Sequence, residues 1–272
     1  MFGFFKHRRR ERLRSAPFPQ GWTEIIERNV RLYRQLPEAD RLELQGLVQI
    51  FLAEKHFEGC GGLELTDEIK VTIAASACLL LLHRETDIYP RLITILVYPS
   101  AYVAKSVNPV GGAVALEGES INLGESWSSG VVVLSWDAVL AGASDIRDGQ
   151  NVVLHEFAHQ LDREDGWVDG APPLARRSQY VTWARVLGAE YERLQRASRL
   201  GRSTVLDEYG AKNPAEFFAV ATESFFEKPH TLRKRHPELY EELRSFYRQD
   251  PAQLSLAERF SETERGETVD SG

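Results

Sequence analysis

The sequence predicts an α+β fold, mostly helical, with a small mixed sheet beside one central helix. Three observations predict it. Apolar residues recur at helical spacing over 22–34, 37–55 and 175–200. Two short β-branched runs, 92–98 and 130–136, lie between those blocks. The stretch Leu154-His155-Glu156-Phe157-Ala158-His159-Gln160-Leu161-Asp162 places two of the chain's 7 histidines in an apolar segment, so its helix should be buried.

Composition limits the functional classes. The 272 residues are 43% hydrophobic and 27% charged, as in a soluble protein with a full core. A net charge of -7 gives the body no footprint for nucleic acid, so no direct nucleic acid binding is expected. The most apolar run, 74–82, is far shorter than the roughly 20 residues that span a bilayer. It reads as a core helix, and no membrane partner is expected. The apolar start Met1-Phe2-Gly3-Phe4-Phe5 precedes the basic residues, and no long apolar stretch follows, so no export signal is read. Of two cysteines, Cys78 lies in the apolar helical run and reads as a small buried hydrophobe, so a reducing, cytoplasmic setting is expected.

In chain order, residues 1–20 read as a flexible basic arm, broken by Pro17 and Pro19. A contact with a partner or anionic surface through Arg8, Arg9, Arg10, Arg12 and Arg14 is the sharper alternative. One domain is expected over 21–250, with a helical N-terminal part at 21–90. Ile25, Ile26, Val30 and Tyr33 line one side of a helix over 22–34. Pro37 opens the next, to about 55. A break follows at 57–62. Thr66 caps a third helix, to about 82, with Asp67 and Glu68 in its first turn.

Strands are expected at 92–98 and 130–136, and more weakly at 113–116, with glycine-rich loops between. Val131 to Trp136 is a candidate edge for adding an extended substrate, or an ordinary sheet strand. Asp148 or Ser144 caps the His155 helix, which ends near Gly166. A charged amphipathic helix covers 175–200. Asn213-Pro214 starts another, with Asn as cap and Pro in the first turn. A last helix begins at Pro237, and 251–272 reads as a loosely ordered polar tail.

His155-Glu156-x-x-His159 carries chemistry. Residues four apart share a helix face, so both imidazoles can reach one ion. Zinc is the expected cofactor, one Zn2+ per chain. It lowers the pKa of a bound water, and Glu156 can take that proton as the water attacks a carbonyl. Asp162 or Asp165 could hold a histidine ring from behind, or simply face water. Catalytic zinc usually has three protein ligands. A metzincin would have glycine at 162 and histidine at 165, where this chain has Asp162 and Asp165. The remaining option is a later carboxylate. Glu216 and Glu223 share a face of the 217–226 helix. Glu216 also sits at the capping-box position after Asn213. Spacing leaves the choice open.

These residues carry a resemblance. His155 to Asp162, Tyr209 and Asn213-Pro214-Ala215-Glu216-Phe217-Phe218-Ala219-Val220 resemble the Mlc titration factor A family of bacterial zinc metallopeptidases. That catalytic core is similar to the anthrax lethal factor protease domain. Gly118-Glu119-Ser120, Trp127 and Leu134-Ser135-Trp136 extend the resemblance, which covers about 20–250. It implies a zincin-like metallopeptidase fold. It implies His155, His159 and Glu216 as metal ligands, Glu156 as general base and Tyr209 as a donor to the oxyanion. It implies a peptide or protein substrate, and binding of a transcriptional repressor, Mlc, of sugar-phosphotransferase genes. The alternative function is a repressor-titrating protein whose zinc matters little for catalysis. Endo- against aminopeptidase action stays open.

Overall fold

The computed structural model describes residues 2–254, except 86, 101, 111, 112, 123, 128 and 129; for 2–4 and 102–127 it describes the backbone. Of the loosely ordered polar tail expected at 251–272, residues 251–254 are helical, with Pro251 and Ala252 buried, and 255–272 lie outside the described residues. Helices α1 (Phe2–Ser15), α2 (Gln20–Asn29), α3 (Arg31–Gln35) and α4 (Glu38–Glu54) lead into strand β1 (His56–Gly59). Helix α5 (Asp67–Leu79) follows, then β2 (Thr94–Tyr98), β3 (Tyr102–Val110), β4 (Ala113–Asn122), β5 (Gly124–Trp127) and β6 (Val131–Ser135). The remainder is helical: α6 (Trp136–Ser144), α7 (Val152–Asp162), α8 (Gln179–Arg199), α9 (Pro214–Glu227), α10 (Pro229–Arg235) and α11 (Pro237–Tyr247).

The segment read as a flexible arm differs most from expectation, because residues 2–15 form α1, packed on α4. Its basic side chains find acidic partners distant in sequence. Arg10 makes a two-pronged contact with Glu54 at 2.7 and 2.6 Å, and Lys6 reaches Asp87 at 2.8 Å. Against the upward push of partial burial, Lys6 and Arg10 hold the Asp87 carboxyl down at about 2.

The single helix expected over 22–34 is broken at Val30 into α2 and α3. Asn29 pins the break to α5, donating to Glu68 Oε1 and Thr72 Oγ1, each at 3.0 Å. Helix α5 is capped as expected, Thr66 accepting from Ile69 N–H. It is buried nearly all round.

The main sheet has the order β1-β2-β6-β5. The first three strands are parallel, and β5 runs antiparallel to β6. The sheet is therefore mixed. Strand β6 is interior, flanked by β2 and β5, so 131–136 is not an exposed edge. The edge beside α7 is β5. The glycine-rich stretch expected as loops holds the β3–β4 hairpin.

Helix α7 crosses the centre. Phe157, fully buried, packs on Tyr89 and Phe51 with ring centroids 4.8 and 5.7 Å away. One intervening residue of the motif thus anchors it to the N-terminal helices. Removing such a ring costs about 3–5 kcal/mol. Neither Cys60 nor Cys78 is in a disulfide. Among the described residues, no helix is long and apolar enough to cross a membrane.

Candidate metal centre

Two helices meet at the centre. Asn151, not Asp148 or Ser144, caps α7. Its Oδ1 accepts from Leu154 N–H at 3.1 Å, and its Nδ2 donates to Gly142 O at 3.1 Å and Glu227 Oε1 at 3.0 Å. Helix α9 starts as the Asn213-Pro214 pair predicts, with Asn213 Oδ1 accepting from Glu216 N–H at 2.9 Å. That bond uses the Glu216 backbone. The Glu216 carboxylate does not close a capping box but turns to α7.

There Glu216 Oε2 lies 3.0 Å from His155 Nε2 and 3.3 Å from His159 Nε2. One ligand atom from each of these three side chains falls within 4.8 Å of the others. Two imidazole nitrogens and a carboxylate oxygen converging from two helices suit a divalent transition ion. Glu156, only 4% exposed, adds its charge to the same field. Burial pulls the His155 ring down, but Glu216, Glu223 and Glu156 outweigh it and push it up to about 10. Burial likewise opposes the two histidines at Glu216, and the histidines win, holding that carboxyl well below the usual range. Loading a cation on this donor set therefore requires His155 to release its proton.

Glu223 does not compete with Glu216, because it occupies the other side of the same ring. Its Oε1 lies 2.7 Å from His155 Nδ1, and its Oε2 accepts from the Asn151 backbone N–H. A carboxylate behind a ligand histidine fixes ring orientation and tautomer. Burial raises the Glu223 carboxyl despite both bonds, so the proton shared with His155 is held tightly. One turn further along α9, Glu227 is pushed up to about 9 by burial, its Asn151 bond notwithstanding.

Asp162 and Asp165, offered as supports for a histidine, make other bonds. Asp165 accepts from Trp167 N–H at 3.0 Å. Asp162 Oδ2 accepts from Gly170 N–H at 2.9 Å, while Trp183 Nε1 donates to the Gly170 carbonyl at 3.0 Å. Gly170 has φ +80°, and a Cβ there would collide with the Pro214 carbonyl oxygen. The loop after α7 is thus strapped against the start of α9. Tyr209 lies in a 3-10 turn, Glu208–Ala211, capped by Asp207. Its ring centroid is 5.8 Å from that of His155, and Lys212 Nζ sits over the Tyr209 ring, 3.5 Å from its centroid. The structure thus brings the Tyr209 ring beside the His155 ring.

Sequence reasoning named these residues but missed the Asn151–Glu223–His155 chain. A cap-forming Asn just before the valine pair of α7 was its one available signal.

A His-His-Glu donor set with a buried glutamate next to its first histidine defines a metallopeptidase-type centre. The sequence matches the family described as glucose-regulated metallo-peptidase M90 over residues 4–248, and the chain belongs to that family. It is 32% identical to the Mlc titration factor A of Yersinia pestis over 238 residues, covering 85% of this chain and 84% of that protein. It is 41% identical to an uncharacterized protein of Synechocystis over 244 residues, 89% of each chain. The resemblance to the Mlc titration factor A family therefore holds over nearly the whole chain.

Proposed function

We propose that this chain is a zinc-dependent peptidase, zincin-like in its catalytic arrangement, with one Zn2+ held by His155, His159 and Glu216. Its substrate is a peptide or protein, and 21–250 acts as one catalytic unit. The observation that carries the reading is the convergence of both Nε2 atoms on Glu216 Oε2 beside buried Glu156. Bound zinc supplies Lewis-acid chemistry, acidifying water and polarising a carbonyl. Glu156 takes the proton of the attacking water and delivers it to the leaving amine. The Tyr209 phenol donates to the oxygen that becomes negative. Glu223 keeps the His155 ring oriented.

Cleavage of a mixed peptide library, with zinc content measured on the same samples, tests this. Glu156→Gln should lower turnover by about 10²–10⁴-fold with zinc retained. Full activity in that variant would overturn the mechanism.

A second reading, compatible with the first, rests on the Yersinia relatives, whose name states that they titrate Mlc. In it the chain acts in the cytoplasm, binds an Mlc-type transcriptional repressor, and so alters sugar-phosphotransferase gene expression without touching DNA or membrane. Co-purification with a purified Mlc-type repressor, repeated with Glu156→Gln, separates titration from catalysis. Equal retention by both forms supports a binding role independent of cleavage.

A further inference from the structure

A second cleft lies apart from the His-His-Glu centre, between α8, α10 and the loops at 145–150 and 200–206. Its volume is about 530 Å³. We propose that it binds a small phosphate-bearing anion.

The argument starts from charge. Arg147, Arg193, Lys228 and Arg235 line the cleft, and Glu190 is the one acidic residue in its lining. Four cations against one anion leave a formal +3 in a chain whose net charge is -7. Glu190 is already engaged. His236 Nδ1 lies 2.7 Å from its Oε2, and Arg193 Nη1 is 3.6 Å from its Oε1. The charged groups of Arg147, Lys228 and Arg235 have no ion-pair or hydrogen-bond partner among the described residues. Like charges drawn to one concavity repel, and a counter-anion removes that cost.

The floor also carries a buried polar side chain. His236 is 7% exposed. With Nδ1 committed to Glu190, its Nε2 has no partner among the described residues. Buried Leu194 and Leu206 close the floor around it. Lys228 is placed by the opposite wall. Gly149 has φ +70°, and a Cβ there would lie 2.8 Å from Lys228 Nζ. The lysine stem therefore lies across bare glycine backbone.

Size and spacing select the ligand class. The volume suits a molecule no larger than a mononucleotide. Guanidinium groups on different walls favour a doubly charged group with several acceptor oxygens, which phosphate offers. An extended nucleic acid would need a basic stripe over the surface, and the chain is acidic overall.

The walls of the cleft also hold the metal centre. Lys228 follows Glu227, which bonds the α7 cap Asn151. Leu206 precedes the turn bearing Tyr209. Gln150 Nε2 donates to Asp207 Oδ2 at 3.3 Å, joining the loop before α7 to that turn. An anion in the cleft would clamp these segments together.

Calorimetric titration of the metal-loaded full chain with pyrophosphate tests the proposal, with inorganic phosphate as a smaller probe and chloride at matched ionic strength as blank. Arg147 and Arg235 are exposed, so the double variant Arg147→Gln/Arg235→Gln should fold with an unchanged melting temperature. The expected result is saturable one-to-one pyrophosphate binding that weakens at least about tenfold in the double variant. The titration is repeated after chelation of the metal, and binding that survives chelation supports the cleft. No binding to the parent chain overturns the proposal. So does equal binding by the double variant, or binding that vanishes with the metal, which would place the anion at the His-His-Glu centre.

Discussion

The two histidines of α7 face one carboxylate oxygen but are held in different ways. At the His155 end both ring nitrogens are engaged. Nε2 faces Glu216, and Nδ1 is fixed by Glu223, which also grips the backbone at the α7 cap. At the His159 end Nε2 shares the same Glu216 oxygen at 3.3 Å, but Nδ1 has no partner among the described residues. The nearest acid along the helix, Asp162, spends one oxygen on the Gly170 strap and leaves Oδ1 without a partner. One donor is thus oriented by a distant helix, and the other by its own helix and the metal it would share. Preorganisation at such a centre comes from the groups behind the ligands as much as from the ligands.

The largest break in that contrast is Glu223→Ala. It leaves His155 Nδ1 and the Asn151 N–H without their acceptor. The expected loss is about 10–100-fold in metal affinity, with about 2–3 kcal/mol of stability lost as buried donors go unpaired. Competition with a chelating dye and denaturant unfolding read the two effects. Unchanged metal affinity would mean that the two histidines are equally independent of support.

A smaller effect sharpens the other end. Burial pushes Asp162 up to about 6, although the Gly170 N–H pulls the other way. A carboxyl raised in the folded state binds its proton more tightly than in the unfolded chain. The stability this contributes is present below about pH 4 and is lost as pH rises through about 6. Asp162→Asn keeps an acceptor for Gly170 and carries no charge. In metal-free protein it should be more stable than the parent by about 1–2 kcal/mol at pH 7.5, the difference closing towards pH 4. Denaturant midpoints at both pH values check this, and a less stable variant at pH 7.5 would show the ionised carboxylate to be satisfied.

The smallest expected effect is at Glu227. With its carboxyl pushed up to about 9, it is a neutral acid at pH 7. Glu227→Gln substitutes one neutral acceptor for another, so stability should change by less than about 1 kcal/mol. A loss several times larger in the same unfolding assay would mean that Asn151 is held by a charge.

Much of this centre is local and was legible in the chain. The four-residue interval of His155 and His159 puts them on one face through helix geometry alone. Asn213-Pro214 marks the start of α9 because capping and a fixed proline φ are properties of neighbouring residues. The seven-residue interval of Glu216 and Glu223 likewise showed a shared face.

Other features depended on what lies opposite. Helical spacing could not tell Glu216 from Glu223. The distinction is that one meets Nε2 and the other Nδ1 of the same ring, which follows from how α9 crosses α7. Arg10 of α1 read as part of a flexible arm because its partners, Glu54 and Asp87, stand far along the chain. Strand β6 read as either an edge or an ordinary sheet strand because its cover, β5, gives no strand signal alone and exists by pairing. The charge, the motif and the starts of α5 and α9 are thus written in adjacent residues. The edge of the sheet, the support behind His155 and the unpaired cations of the second cleft come from contacts that close only when distant segments pack together.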